Sequence, residues 1–507
     1  NSLYGNIAVT EKNNQYSFYY NGLPIITVPF SDRQFVEEFA NFPLLFHELP
    51  QHILIIGNAA GGLISEILKQ PVASVDYLEL DPLLIKMLKD HPAKITQDEF
   101  MDPRVKVINQ DARFFLNNTS RKYDVILIGL SDPVDLNTNR FFTFEFFLLA
   151  QNKLRQKGIL ALHLSGSLSY LSQELKNLNA CILSGLKNSF TYQKVIPGDY
   201  NIILASHSKE LTKTDASIIS ERIASRNIKA TLLIPSYVEY RLSRNWETWF
   251  NQNIQTAETG INRDLQPLAL FETLNIWNRK FNSNIFNQCF SSLKNLHLSY
   301  IIILVCAVTL LLALMIKIKK SLRISVNFAI FSTGFFGMLV NLILLFLFQN
   351  RFGYLYYKIG VLLSLFMAGA AVGSIMLSGK MHSKKKPFNR LIAIETISII
   401  FLMFLAGNLG FLSLNAGTFI FMALFLVAGS FLGAEFSLAN QIYLQKNALP
   451  GKTAATLYFI DLLGGWLAGI LGGVVLLPVL GLSGCCTIIA FFKLSSLILL
   501  IFSPEST

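Results

Sequence analysis

Charge is what this 507-residue chain has least of. Only 15% of its residues are Asp, Glu, Lys or Arg, where a soluble chain carries roughly 25%. The deficit is uneven: residues 1–297 hold nearly all the acids at ordinary spacing, and residues 298–507 are mostly Leu, Ile, Phe, Val, Ala and Gly. That excludes a single water-solvated globule, and the length exceeds one core of roughly 100–200 residues, so at least two domains are expected. Cysteine is also scarce. Of Cys181, Cys289, Cys306, Cys485 and Cys486, none has metal-ligand spacing and the last three lie in apolar stretches. No metal site is expected, and only Cys181 and Cys289 sit where pairing within the soluble half is open to them. A basic stripe interleaved with aromatics is missing too, which argues against nucleic acid despite a net charge of +11. The positive charge falls in runs such as Lys317–Lys320 and Lys384–Lys386, beside apolar segments, as in membrane proteins. The chain opens at Asn1 without Met or signal peptide, and membrane helices preceding Asn1 are expected in a parent protein.

What is present divides into four segments. Residues 1–48 alternate in the manner of strands and read as a small β-hairpin element with its turn at Asn21-Gly22. Residues 49–207 alternate strand and helix. The apolar run His52-Ile-Leu-Ile-Ile suits a buried parallel strand, and Gly57-Asn-Ala-Ala-Gly-Gly is a glycine-rich turn before a helix from Leu63 to Lys69. Further strands are expected at Val75–Asp81, Val105–Ile108, Val125–Ile128, Ile159–His163, Tyr192–Ile196 and Asn201–Ser206. This order predicts a doubly wound, Rossmann-like α/β fold. Residues 208–297 are polar and partly helical, a connecting segment. In residues 298–507, seven spans are expected near 298–316, 326–349, 359–378, 391–407, 418–440, 454–478 and 485–502. Each can cross roughly 30 Å of hydrocarbon at about 1.5 Å per residue. Lysines and arginines concentrate after the first, third and fifth spans, which puts those loops in the cytoplasm and the soluble half outside, in a cell membrane of prokaryotic type. Glycines in Ala368–Gly373 and Gly464–Gly473 suggest close helix packing.

The chemistry-bearing positions lie at strand ends. Gly57, Gly61 and Gly62 let backbone approach a ligand, and the following helix offers free N–H groups. Glu79 lies at the C-terminal end of the second strand, 22 residues after Gly57, where an acid accepts hydrogen bonds from ribose hydroxyls. Asp111 follows the third strand, where a carboxylate can meet an adenine amino group, and Asp132 follows the fourth. The other reading of Glu79 and Asp111 is as helix caps. In the membrane half Glu395, Glu435, Asp461 and Lys493 are ionisable groups in or near spans, each a functional candidate or a structural pair.

From about residue 3 to 206 the chain resembles spermidine synthase and the related aminopropyltransferases. The similar pieces are the strand and turn at 52–62, Asp76-Tyr-Leu-Glu-Leu-Asp-Pro, Asp102-Pro-Arg-Val-Lys-Val, Gln110-Asp-Ala-Arg, Tyr123-Asp-Val-Ile-Leu-Ile and Ser131-Asp-Pro. Pro197-Gly-Asp-Tyr-Asn, Ile261-Asn-Arg-Asp-Leu-Gln-Pro and Tyr458-Phe-Ile-Asp-Leu-Leu-Gly look like the membrane-fused branch of that family. The resemblance implies the class I methyltransferase type of fold. It also implies a bound nucleoside, decarboxylated S-adenosylmethionine or S-adenosylmethionine, with Glu79 on the ribose, Asp111 on the adenine and Asp132 as the catalytic acid that positions and deprotonates an amine such as a polyamine. Three departures stand against ordinary spermidine synthesis. Ala60 replaces the acid of the family's glycine turn, Gly129 replaces one acid of the aspartate pair, and Val36-Glu37-Glu38 replaces a Tyr-His-Glu segment. Glu37 and Glu38 remain as carboxylates for a cationic acceptor. Three readings follow: a membrane-tethered group-transfer enzyme, a catalytically degenerate binding or transporter-like protein, and a scaffold.

Overall fold

The computed structural model describes residues 2–29, 31–257, 260–281, 293, 296–319, 321–353, 356–378, 386–414, 416–445 and 450–503. Cys289, Lys320, Lys380, Lys384, Lys385 and Lys446 therefore lie outside the described residues. The chain forms two compact units, one of residues 1–264 with 268–281, the other of 265–267 with 282–507.

In the first unit, β1 (Ile7–Lys12), β2 (Gln15–Tyr20) and β3 (Leu23–Val28) form an antiparallel meander. The element expected as a hairpin has a second tight turn, at Asn13 and Asn14, both at positive φ, before the one at Asn21-Gly22. Asparagine tolerates that region because its short side chain bonds locally. A helix not foreseen in the sequence follows, α1 (Arg33–Phe46), capped by Asp32, whose carboxylate accepts the Phe35 N–H.

The central sheet holds β4 (His52–Ile56), β5 (Ser74–Leu78), β6 (Val105–Ile108), β7 (Tyr123–Ile128), β8 (Leu154–Ser165), β9 (Tyr192–Ile196) and β10 (Tyr200–Ser206). Its order is β6-β5-β4-β7-β8-β10-β9, parallel from β6 to β8 and antiparallel at β10 and β9. Side chains of β4 alternate between two apolar layers. Ile53 and Ile55 join α1 and α2 (Leu63–Leu68), and Leu54 and Ile56 join α5 (Ala112–Asn118) and α7 (Phe144–Lys153). A sheet covered on both faces is why its strands read as continuous apolar runs. The strand order reverses beside β4, where β5 lies to one side and β7 to the other, so loops at the carboxyl ends of β4, β5, β6 and β7 face a shared crevice. This is the Rossmann-like fold of the class I methyltransferase type.

The segment expected only to connect belongs to the first unit as far as Phe281, apart from Leu265–Pro267. Helix Ala216–Ser225 ends at Arg226, whose guanidinium donates to the carbonyls of Leu44, His47 and Glu48. Phe250 and Phe271 are fully buried.

In the second unit, six helical runs among the described residues are long and apolar enough to cross a membrane: Leu298–Lys319, Leu322–Phe352, Lys358–Leu377, Pro387–Gly407, Thr418–Leu444 and Pro450–Ile501. These are the helices of a multi-pass membrane protein. The count differs from the expected seven because the last run, 52 residues long, contains both of the final expected spans. Non-helical backbone at Gly481 (φ 72°) separates them, and a π-helical turn at Gly472–Leu476 lies within the first of the two. Glycine contacts set the packing. A Cβ at Gly369 would lie 2.1 Å from the Leu426 carbonyl oxygen, and one at Gly433 would lie 1.8 Å from that of Ala370. The backbones of Tyr356–Leu377 and Thr418–Leu444 thus meet directly.

Candidate nucleoside site

Four adjacent strand ends are tied side by side. Gly57 N–H donates to the Leu78 carbonyl at 2.9 Å, Glu79 N–H to Ile108 at 3.1 Å, and Gly129 N–H to Ile56 at 2.9 Å. This brings together the glycine turn, Glu79, Asp111 and the Gly129–Asp132 loop, the positions expected from sequence.

The turn itself differs from expectation. Gly57, Gly61 and Gly62 all have positive φ (72°, 91° and 140°), which explains glycine there. Their close neighbours, however, are the chain's own side chains. A Cβ on Gly61 would lie 2.7 Å from Val28, and one on Gly57 would lie 2.6 Å from Leu130. The free N–H groups are also taken. Glu99, on α4 (Lys94–Met101), accepts the N–H of Gly61 and of Gly62 at 2.7 Å each, and the N–H and hydroxyl of Ser65 at 3.0 and 2.9 Å. A turn before a helix is an anion site; here the anion is a buried side chain. Burial raises the Glu99 pKa, and the donated backbone hydrogen bonds oppose the rise. Ala60 is therefore not a simple loss of charge, because Glu99 brings a carboxylate to the same turn from elsewhere.

Glu79 is buried and faces the turn. It accepts the Tyr77 hydroxyl at 2.9 Å and interacts with the backbone of Asp81 and Asn58. Desolvation raises its pKa, and those donors hold the rise in check. It keeps acceptor capacity on a carboxylate that is already oriented.

Of the two roles weighed for Asp111 from the sequence, the structure shows the helix cap. Asp111 caps α5, accepting the Phe114 N–H at 3.0 Å, and its other oxygen pairs with the buried guanidinium of Arg140. Arg140 donates to the Asn137 carbonyl and lies 4.8 Å from the Phe141 ring centroid. Beside it, Arg113 holds Asp264 through two bonds of 2.6 and 2.7 Å, with Thr143 bonded to both. Asp264 and Asn262 come from the Ile261–Pro267 motif. Asn262 donates to Asn139 and to the Phe142 carbonyl. The motif thus locks the wall behind Asp111.

Asp132 lies just past β7 and is aimed from β8, since Ser165 donates to it through its N–H (2.9 Å) and its hydroxyl (2.5 Å). Glu37 and Glu38, in contrast, are not carboxylates for an acceptor. Glu37 accepts the N–H groups of Thr231, Leu232 and Leu233, and Glu38 is paired with Arg241 and Tyr237 in the interior. Other groups surround Asp132. The charges of Asp32, Asp199 and Asp132 bear on the Tyr200 hydroxyl, whose pKa is raised first by burial and then by these acids. The Phe35 ring lies 4.9 Å from Tyr200 and 4.7 Å from His163. Burial lowers His163 to about 4, so it is a neutral ring near pH 7. Asp199 and Tyr200 lie in the Pro197–Asn201 motif, which was visible in the sequence without its role. Glu99 left no local signal.

A family model described as the spermine/spermidine synthase domain matches residues 34–212. The polyamine aminopropyltransferase of Korarchaeum cryptofilum is 34% identical over 143 residues, 28% of this chain and 44% of that protein. That of Oceanobacillus iheyensis is 34% identical over 168 residues, 31% of each chain. Residues 34–212 are a spermidine-synthase-like domain. The chain spans less than half the length of these two relatives. Among solved structures, a spermidine synthase in complex with the transition state analogue AdoDATO aligns at 20% identity and TM-score 0.42, over 50% of this chain and 85% of its own. The spermidine synthase from Thermotoga maritima aligns at 18% and 0.39, over 49% and 88%. In this chain the spermidine-synthase-like domain is followed by the apolar helices.

Proposed function

We propose that the first unit binds a phosphate-free adenosine nucleoside of the S-adenosylmethionine type, decarboxylated or not, and transfers its aminopropyl or methyl group to an amine. The observation that carries this reading is Glu99. With its carboxylate on the Gly61, Gly62 and Ser65 N–H groups, a phosphate at the turn would meet a buried like charge instead of free donors. A nucleoside with a sulfonium in place of phosphates suits such a turn. Glu79 would accept the ribose hydroxyls and Asp111 the adenine amino group, behind a wall fixed by Arg140. The bound group would supply an activated carbon next to sulfur. Asp132, oriented by Ser165, would hold the acceptor amine and take its proton as the new C–N bond forms and the C–S bond breaks. Phe35, Tyr200, Asp32 and Asp199 supply the aromatic and acidic surroundings that favour a cation. The lysine and arginine distribution supports placing this unit on the extracytoplasmic face. The test is turnover of S-adenosylmethionine and its decarboxylated form against a panel of mono- and polyamines, with Asp132→Asn as control. Loss of turnover with nucleoside binding intact supports transfer. Binding without turnover of any amine favours the binding-protein reading, to which the existing Asp111–Arg140 pair lends support.

A further inference from the structure

The membrane unit buries a charge cluster whose signs do not balance. Lys493 lies 2.5 Å from a Glu435 oxygen and 3.3 Å from a Glu395 oxygen, and all three residues are 0% exposed. They come from three different helices, Leu477–Ile501, Thr418–Leu444 and Lys386–Gly407. Thr333, on Leu322–Phe352, accepts from Lys493 at 3.0 Å and bonds Glu435, and Ser496 donates to Glu395 at 2.8 Å. The Phe336 ring centroid lies 5.4 Å from the ammonium. Among the described residues, the remaining titratable group whose charge bears on this cluster is Asp461, half-buried on Pro450–Leu471.

One ammonium cannot neutralise two carboxylates, and a net charge in a membrane interior is costly. One oxygen marks where the balance is missing. Among the described residues, Glu435 Oε1 is buried without a hydrogen-bond partner, and Glu395 Oε2 is the oxygen that faces the Lys493 ammonium at 3.3 Å. The missing species is a cation of small size. A metal ion or a second ammonium would sit against Lys493 and need several further oxygen ligands, whereas a proton needs one lone pair. We propose that Glu395 and Glu435 together hold one exchangeable proton, drawn from and returned to water, in the core of the membrane unit. The site is independent of the nucleoside chemistry.

Infrared spectroscopy of the full chain in lipid nanodiscs at neutral pH tests this. The difference between wild type and Glu395→Gln should contain a protonated-carboxyl band that shifts in heavy water, because the remaining Glu435–Lys493 pair is neutral without a proton. Glu435→Gln should lose the same band for the same reason. Lys493→Met should instead roughly double it, since two carboxyls without an ammonium both take protons. Each Gln is isosteric with a protonated glutamate, so if one variant fails to fold the other decides. No band in either difference spectrum, or a band unchanged by Lys493→Met, overturns the proposal.

Discussion

Glu99 accepts the Gly62 N–H at 2.7 Å from a position 37 residues away in the chain. This bond, with its partners at Gly61 and Ser65, makes the glycine turn a finished internal structure. Glu99→Ala would leave the three N–H groups and the Ser65 hydroxyl without their acceptor. Each such group costs about 1–3 kcal/mol, so the variant should lose roughly 3 kcal/mol or more of stability, with Glu99→Gln intermediate. Thermal unfolding of the full chain measures it. Where the Ala variant folds, it should also gain weak affinity for ADP that wild type lacks.

Glu79 should give nucleoside binding a distinct pH dependence. A ribose acceptor must be ionised, and burial has raised the Glu79 pKa above that of an ordinary glutamate. Affinity should be constant at high pH and fall as pH drops through that raised value, earlier than for an ordinary glutamate. The linkage to stability has the opposite sense. The folded unit without ligand binds the Glu79 proton more tightly than the unfolded chain does, so this contribution declines as pH rises from about 4.5 to the raised value. Glu79→Gln should flatten the binding profile and weaken affinity by roughly 10–100-fold, the worth of a charge-assisted hydrogen bond. Calorimetry across a pH series reads both.

Asp111 and Arg140 form a buried ion pair, and breaking one side leaves the other uncompensated. Arg140→Met alone should destabilise by about 3–5 kcal/mol, and pairing it with Asp111→Asn should recover a large part. Denaturation of the single and double variants, read as a cycle, separates this from a role in ligand binding.

The strands and the positions of Glu79, Asp111 and Asp132 at their ends were legible because they depend on local pattern. Apolar runs ended by glycine or acid mark parallel strands and their mouths. The occupancy of those positions was not legible, because it depends on long-range partners. Glu99 reaches the turn from α4, Arg241 takes Glu38 from a segment read as a connector, and Asp264 reaches Arg113 across 151 positions. The same limit explains Glu37 and Glu38. Their spacing offered two acids for a cationic acceptor, and tertiary contacts turned both inward. In the membrane half, length and hydropathy located the spans, but only the fold brings Glu395, Glu435 and Lys493 together.

Asp132→Asn should lower turnover by about 10²–10⁴-fold, the range for a positioned base. Nucleoside affinity should stay near that of wild type, because Ser165 can still donate to the amide oxygen. Single-turnover kinetics beside equilibrium binding distinguishes this from a collapsed site, in which both would fall.

Sidedness is open to labelling. Cys181 is buried at 3% exposure and is unsuited as a reporter, whereas Met101 is 80% exposed. Met101→Cys in intact cells should react with an impermeant thiol reagent above the level of the parent chain. Reaction only after lysis would place the unit in the cytoplasm.

The central claim is that the turn closed by Glu99 selects a nucleoside without phosphates. Calorimetric titration of the full chain with methylthioadenosine, S-adenosylmethionine, decarboxylated S-adenosylmethionine and ADP tests it most directly. The account predicts binding of at least one of the first three, lost in Glu79→Ala, and none of ADP. Binding of ADP as tight as that of any of the others, or no binding of any nucleoside by the folded chain, would contradict it.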